Sequence, residues 1–318
     1  MRLCRYREKG KSDVKIAYYL DDVIVPVEAA AAEFKKRTNQ SIDVPTAGEL
    51  IDLLPPDGSC QAAARQLSDW VGENQEELES SFFNCDDVEL RAPFERPNKL
   101  LLLAGNYADH IKEGGGVAVE REKTFPYVFM KPASTTINHP GAGIPVPEVS
   151  PDHVDWEIEL AVVMGKVAKD VSEGEALEHV AGYTVINDIS DRVYRPNPLR
   201  EERPKDVFFD WQHGKWHDGF CPMGPCVVSA DDVPNPQQLH MTLTVNGEVR
   251  QDCSAGAMVF PVAAVISFIS SWVTLEPGDI ISTGTPSGIG HPTGTYLTKG
   301  DEVECDVSEI GVLKNYMV

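Results

Sequence analysis

The chain has 318 residues, enough for one large domain or a large domain with a small companion, and it can bury a substantial core without disulfides. Apolar residues make up 42% and charged residues 25%, the composition of an ordinary globular protein. With 28 basic against 50 acidic residues the formal charge is −22, a field that repels phosphate backbones and anionic lipid and so argues against nucleic acid and membrane surfaces as partners.

Residues 14–26 are apolar and β-branched on either side of Asp21-Asp22, which predicts a strand pair. The run VEAAAAEFKKR combines good helix formers with a basic end, as a helix C-terminus prefers. Thr46 and Glu49 have the spacing of a capping box for the short segment AGELIDLL, and residues 60–80 read as a polar, acidic helix. Pro93 and Pro97 then interrupt any regular element, which places a domain boundary there: a small α/β unit over 1–95 and a larger domain over 96–318. Beyond the boundary the pattern changes to short strands with Pro/Gly turns. LLLLAG is a buried strand, VAGYTVINDIS another, and MTLTVNGEV carries Asn246-Gly247 between alternating runs, a strong hairpin signal. Val262, Val265, Ile266 and Ile269 have helical spacing, so one buried helix is expected, and DEVECDVSEIGVLKNYMV returns to strand alternation. The expected fold class is α+β, mainly β, with a rolled or curled mixed sheet.

Seven cysteines are scattered without a CxxC pair, so neither a disulfide framework nor a zinc knuckle is indicated. No apolar run reaches the length of a membrane span, and MRLCRYREKGKSD lacks the apolar stretch of a secretory signal. A reducing cytoplasm is the expected compartment.

Chemistry concentrates in four segments. In HVDWEIELAVVMG, period-two alternation puts Val154, Trp156, Ile158 and Leu160 on one face and Asp155, Glu157 and Glu159 on the other. Neighbouring carboxylates repel, and burying them is costly unless a cation sits between them. Asp188, ending YTVIND, is placed to supply a third oxygen, which would suit magnesium, manganese or calcium better than zinc. A solvated strand face accounts for an ExE pattern equally well. In NYADHIKE, His110 and Glu113 are one helical turn apart, an arrangement in which the carboxylate orients the ring for acid–base work. Gly114-Gly115-Gly116 follows as a natural hinge; an incidental surface ion pair is the plainer alternative. Lys215, in HGKWHDGFCPMGP, is flanked by glycine and aromatic residues and is either held partly out of water or simply solvated; His213 and His217 beside it read as structural. STGTPSGIG is a small-residue loop whose amides suit a carboxylate or carbonyl oxygen, and it is neither a Walker loop nor a GxGxxG motif.

Taken in order, NYADHIKE, FMKPASTTI, DWEIELAVVMGK, GYTVINDISDR, GKWHDGFCPMGP, STGTPSGIG and GDEVECDVSEIGVLKN resemble the fumarylacetoacetate hydrolase family over about residue 98 to the end. The resemblance implies a mixed β-roll, a homodimer, and magnesium or manganese held by Glu157, Glu159 and Asp188. It implies catalytic roles for His110, Glu113 and Lys215, and substrate contacts from Tyr107, Lys131, Arg192, Arg195 and Thr285. Two positions depart from the family pattern: Gly105, where many relatives carry arginine, and Arg195, where many carry glutamine. The implied activity is metal-dependent hydrolysis of a carbon–carbon bond in an acylpyruvate-type 2-oxo acid. Decarboxylation, hydration, isomerisation or a lyase reaction on the same site are the alternatives, and a non-catalytic binding protein on the same fold is the alternative of another class.

Overall fold

The computed structural model describes residues 1–118 and 120–318. Among them a twelve-stranded mixed sheet forms the frame. Its centre runs in the order Arg2–Glu8, Cys221–Ser229, Val180–Asn187, Ile158–Met164, Ile280–Ser282, Leu100–Ala104 and Tyr127–Met130. Pairing is antiparallel except where Ile280–Ser282 runs parallel to Leu100–Leu102 and Ile137–Asn138 runs parallel to the Cys221 strand.

Strands buried on both faces read as continuous apolar runs, and the period of two then sorts each run into two cores. Leu160, Val162 and Met164 belong to one core, Ala161 and Val163 to the other; Leu101 and Leu103 part from Leu100 and Leu102 in the same way. On the first face lies a five-stranded sheet containing the hairpin His240–Val245 with Glu248–Ser254 and the hairpin Glu302–Val307 with Gly311–Met317. Asn246 and Gly247 both have positive φ (52° and 77°), as a two-residue hairpin turn needs. The helix Val262–Trp272 buries Val262, Val265, Ile266 and Ile269 against the same core.

The second face is covered by the helices Val27–Thr38 and Gln61–Glu73, through Ala30, Phe34, Leu67 and Val71. The first strand is hydrogen-bonded into the large sheet, with Arg2 opposite Val228 and Leu3 opposite Val227. One local expectation is corrected: Leu50–Leu53 is a single 3₁₀ turn whose N-cap is Glu49, with no side-chain capping bond. Four residues are too few to complete the reciprocal bonds of a capping box. No helix among the described residues is long and apolar enough to cross a membrane.

Candidate active site

The site is built where one strand stops pairing regularly. Val154–Asp155 pairs with Ser190–Asp191, while Ile158–Met164 enters the large sheet, so Trp156 and Glu157 lie between two ladders. Polar side chains satisfy the backbone at this break. The Glu157 amide donates to Asn187 Oδ1 at 3.0 Å, and the Ile158 amide donates to Gln251 Oε1 at 3.0 Å. The Asp188 amide in turn donates to the Glu157 carbonyl at 2.8 Å, fixing the end of the neighbouring strand against it. Carboxylate oxygens of Glu157, Glu159 and Asp188 thereby come within 4.8 Å of one another, all buried. The predicted alternation is therefore interrupted inside the motif that suggested it. Asp155 leaves the other two acids and serves elsewhere.

Cations surround two of the three carboxylates. Lys215 Nζ donates to Glu157 Oε2 at 2.9 Å, to Ser190 Oγ at 2.9 Å and to Asp188 Oδ2, and lies 5.3 Å from the Phe129 ring centre. Burial works against the charge of Lys215, but Asp188 and Glu157 outweigh it and raise the pKa. Lys131 Nζ donates to Asp188 Oδ1, and to the Ile189 and Phe220 carbonyls at 2.9 and 2.6 Å. Arg192 spans Asp155 Oδ2 (Nε, 2.8 Å) and Glu157 Oε1. Burial disfavours ionised Glu157, yet Arg192 and Lys215 hold its carboxyl well below the usual range.

Glu159 is different. Its Oε2 accepts from Ser282 Oγ at 2.5 Å and the Gly284 amide at 3.0 Å, but its buried Oε1 has no hydrogen-bond partner among the described residues. Burial, followed by Asp188 and Glu157, pushes its pKa well above the ordinary value. A fully buried acid with an orphaned oxygen, facing two further carboxylates, lacks a positive partner on one side. A hard divalent ion taking one oxygen from each of Glu157, Glu159 and Asp188 fits this donor set.

The small-residue loop after Ile280–Ser282 uses its amides on the protein's own acids. Gly284 binds Glu159, Gly288 binds Glu113 Oε2 at 2.9 Å, and Gly290 and His291 bind Asp155 at 2.7 and 3.0 Å. Thr285 is buried, and its hydroxyl accepts from Gln251 Nε2 at 2.8 Å.

Above the acids sits the short helix Ala108–Glu113. His110 Nδ1 lies 2.9 Å from Glu113 Oε1. A carboxylate only accepts, so in the neutral ring Nδ1 carries the proton and Nε2 keeps its lone pair. Asn106 anchors the root of this helix, donating to the Phe260 and Thr283 carbonyls (3.1 and 2.8 Å) and accepting from the Phe260 amide (2.9 Å). His110, Glu157, Arg192, Lys215 and Thr285 line one cleft of about 50 Å³, with Phe129 and Trp211 as apolar walls. Tyr107 is buried behind it; burial, and to a lesser degree Cys253 and then Glu159, raises its pKa, and its hydroxyl has no partner among the described residues.

Three of the expected substrate contacts, Tyr107, Lys131 and Arg195, lie outside the cleft. Lys131 supports Asp188 from below and does not line it. Arg195 is 42% exposed and pairs with Glu202 on a surface segment, whereas the arginine that faces the buried acids is Arg192. His217 stands 3.5 Å from Asp191, and no described residue makes it part of an acid cluster that could hold a metal. Sequence reading missed Asn187, Gln251, Ser282 and the role of Asp155. Asn187 left a signal, a polar residue closing an apolar strand. Gln251 left none, being one polar residue among EVRQDC that only the fold buries.

A family model described as fumarylacetoacetate (FAA) hydrolase C-terminal matches residues 99–318. The chain belongs to the fumarylacetoacetate hydrolase family. Among curated family members, the chain is 42% identical over 234 residues to "Oxaloacetate tautomerase FAHD2A, mitochondrial" of Bos taurus, covering 73% of this chain and 70% of that protein. It is 38% identical over 271 residues to "Oxaloacetate tautomerase YisK" of Bacillus subtilis (strain 168), covering 84% and 86%. Among solved structures of the family, fumarylacetoacetate hydrolase from Exiguobacterium antarcticum superposes with a TM-score of 0.69 at 28% identity, over 100% of this chain and 99% of that one. Maleylpyruvate hydrolase from Sphingobium sp. SYK-6 gives 0.67 at 26% identity, over 100% and 99%.

Proposed function

We propose that this protein interconverts the enol and keto forms of a small 2-oxo acid, with oxaloacetate, whose enol is readily followed, as the assay compound rather than the preferred substrate. The reading rests on one observation: His110, oriented by Glu113 at 2.9 Å, presents its free nitrogen to the same cleft as Glu157, Arg192 and Lys215. Magnesium or manganese, held by Glu157, Glu159 and Asp188, would supply Lewis acidity toward the carboxylate and the adjacent carbonyl oxygen of the acid. His110 Nε2 takes a proton from C3 of the keto form and delivers a proton to the C2 oxygen, giving the enol; in the reverse direction it takes the enol hydroxyl proton and returns one to C3. Glu113 supports the imidazolium while it exists, and the Gly288 amide keeps Glu113 in place. Arg192, Lys215 and Thr285 orient the substrate carboxylate.

Charge agrees with an anionic substrate. Asp155, Glu157, Glu159 and Asp188 face Lys131, Arg192 and Lys215, so with all four acids ionised the cluster is net negative and repels anions; one divalent ion reverses its sign. Both curated relatives described above carry the name oxaloacetate tautomerase. The same dyad would also deprotonate a water, which keeps hydrolysis of an acylpyruvate as the second reading, and one structural neighbour is titled maleylpyruvate hydrolase.

The test follows the ultraviolet absorbance of enol-oxaloacetate with magnesium or manganese and then with chelator, and weighs the products of an acylpyruvate incubation. Metal-dependent loss of the enol with unchanged product mass is expected. Two smaller acids from the acylpyruvate, with no effect on the oxaloacetate enol, would replace tautomerisation by hydrolysis.

A further inference from the structure

A second cavity, of about 270 Å³, adjoins the cleft and shares Leu103, Ala104 and Gly105 with it. The rest of its wall includes Ile111, Thr124, Phe125, Tyr127, Val259 and Phe260, and no charged side chain lines it among the described residues. The short helix therefore has two working sides. His110 faces the acids, and Ile111, the next residue, faces the apolar cavity.

Gly105 stands at the junction. Its φ of +66° disfavours any side chain, and a Cβ there would touch Ile111 Cγ1 at 3.5 Å. The wall shared by the two spaces thus has no side chain at Gly105, and neither Arg192 nor Lys215 lines the apolar one.

We propose that this cavity is the subsite for the C3 substituent of the 2-oxo acid, and that it selects an uncharged, apolar substituent such as an aryl or branched alkyl group. This rests on the 2-oxo acid reading above and adds a substrate class to it. A carboxylate placed there would lose its water and find no cation, whereas a ring would exchange water for Ile111, Val259 and Phe260. The 2-oxo acid end stays at the acids while the substituent points under the helix. Monocarboxylic 2-oxo acids with apolar tails therefore bind better than dicarboxylic ones of similar length.

The experiment is calorimetric binding of pyruvate, oxaloacetate and phenylpyruvate to the full chain with magnesium present, in wild type, Val259→Trp and Thr124→Arg. Phenylpyruvate is expected to bind at least tenfold tighter than pyruvate. Val259→Trp should remove that advantage while pyruvate affinity stays within twofold, since the indole fills the cavity and leaves the acids untouched. Thr124→Arg should weaken phenylpyruvate and tighten oxaloacetate, since it puts a cation in the wall. If none of the three acids binds the wild type, the 2-oxo acid reading falls and takes the subsite with it. If pyruvate and oxaloacetate bind but phenylpyruvate is no tighter than pyruvate, or if Val259→Trp weakens all three alike, the subsite alone is overturned.

Discussion

Replacing Glu159 with glutamine should stabilise the metal-free protein and destabilise the metal-loaded one relative to wild type. The buried Glu159 Oε1 has no partner, while Oε2 is held by Ser282 and Gly284. Leaving a buried polar group unsatisfied costs about 1–3 kcal/mol. Glu159→Gln keeps the shape and the acceptor facing Ser282 and Gly284. It turns the orphaned oxygen into an NH₂ that can donate toward Asp188 and Glu157, the two acids that raise the Glu159 pKa. In chelator the variant should therefore melt higher, by an amount on the order of 1–3 kcal/mol, or several degrees at ~2–4 °C per kcal/mol for a chain of this class. Magnesium or manganese at one thousand times its dissociation constant should add about 4.1 kcal/mol to the wild type. The variant, having lost one anionic oxygen, should gain much less, so the order of the two melting temperatures reverses. Differential scanning calorimetry in chelator and in saturating metal reads this directly. A variant that melts below wild type in chelator, or gains as much from metal as wild type does, would refute the reasoning.

Three further outcomes are expected. His110→Asn should lower kcat by about 10²–10⁴ with KM little changed, because it removes the proton carrier and leaves the carboxylate-binding groups in place; a change confined to KM in steady-state assays would count against that role. Asp155→Asn removes the buried partner of Arg192 Nε and an anchor of the Gly290 and His291 amides. Breaking one side of a buried ion pair costs about 3–5 kcal/mol, so a clearly lower denaturation midpoint is expected, and an unchanged midpoint would exclude this role. Burial, with help from Arg91, lowers the pKa of His139 from 6.5 to about 4, and its Nδ1 accepts from the Ala92 amide at 3.1 Å. Its folded pKa lies below its free value, so the contribution is full above pH 6.5 and is lost as pH falls toward 4. His139→Asn should flatten this part of the stability–pH curve in urea titrations, and identical slopes in the two proteins would contradict it.

Much of the site was legible because its chemistry is local. The three acids, the His110–Glu113 turn and Lys215 each sit in a short segment whose residue types carry their own meaning. The strands were legible for a similar reason, since runs such as Ile158–Met164 and Val180–Asn187 are apolar throughout. What the sequence withheld depends on distant pairing. Gln251 reaches the Ile158 amide across 93 residues, and nothing in its own strand marks it. Asp155 alternates in step with Glu157, yet the break at Trp156 sends it to Arg192 and the glycine loop. Those loop amides looked free to bind a ligand; the acids that occupy them come from two other segments. Arg195 carries the same charge as Arg192 three residues earlier, but only a fold shows which of them turns inward.

Manganese titration watched by electron paramagnetic resonance, followed by oxalate, tests the central claim most directly, because oxalate offers the same pair of oxygens as a 2-oxo acid. One saturable manganese per chain is expected, with a spectrum that changes when oxalate is added, and with the site lost in Asp188→Asn. No saturable site, or a bound ion indifferent to oxalate, would contradict the account.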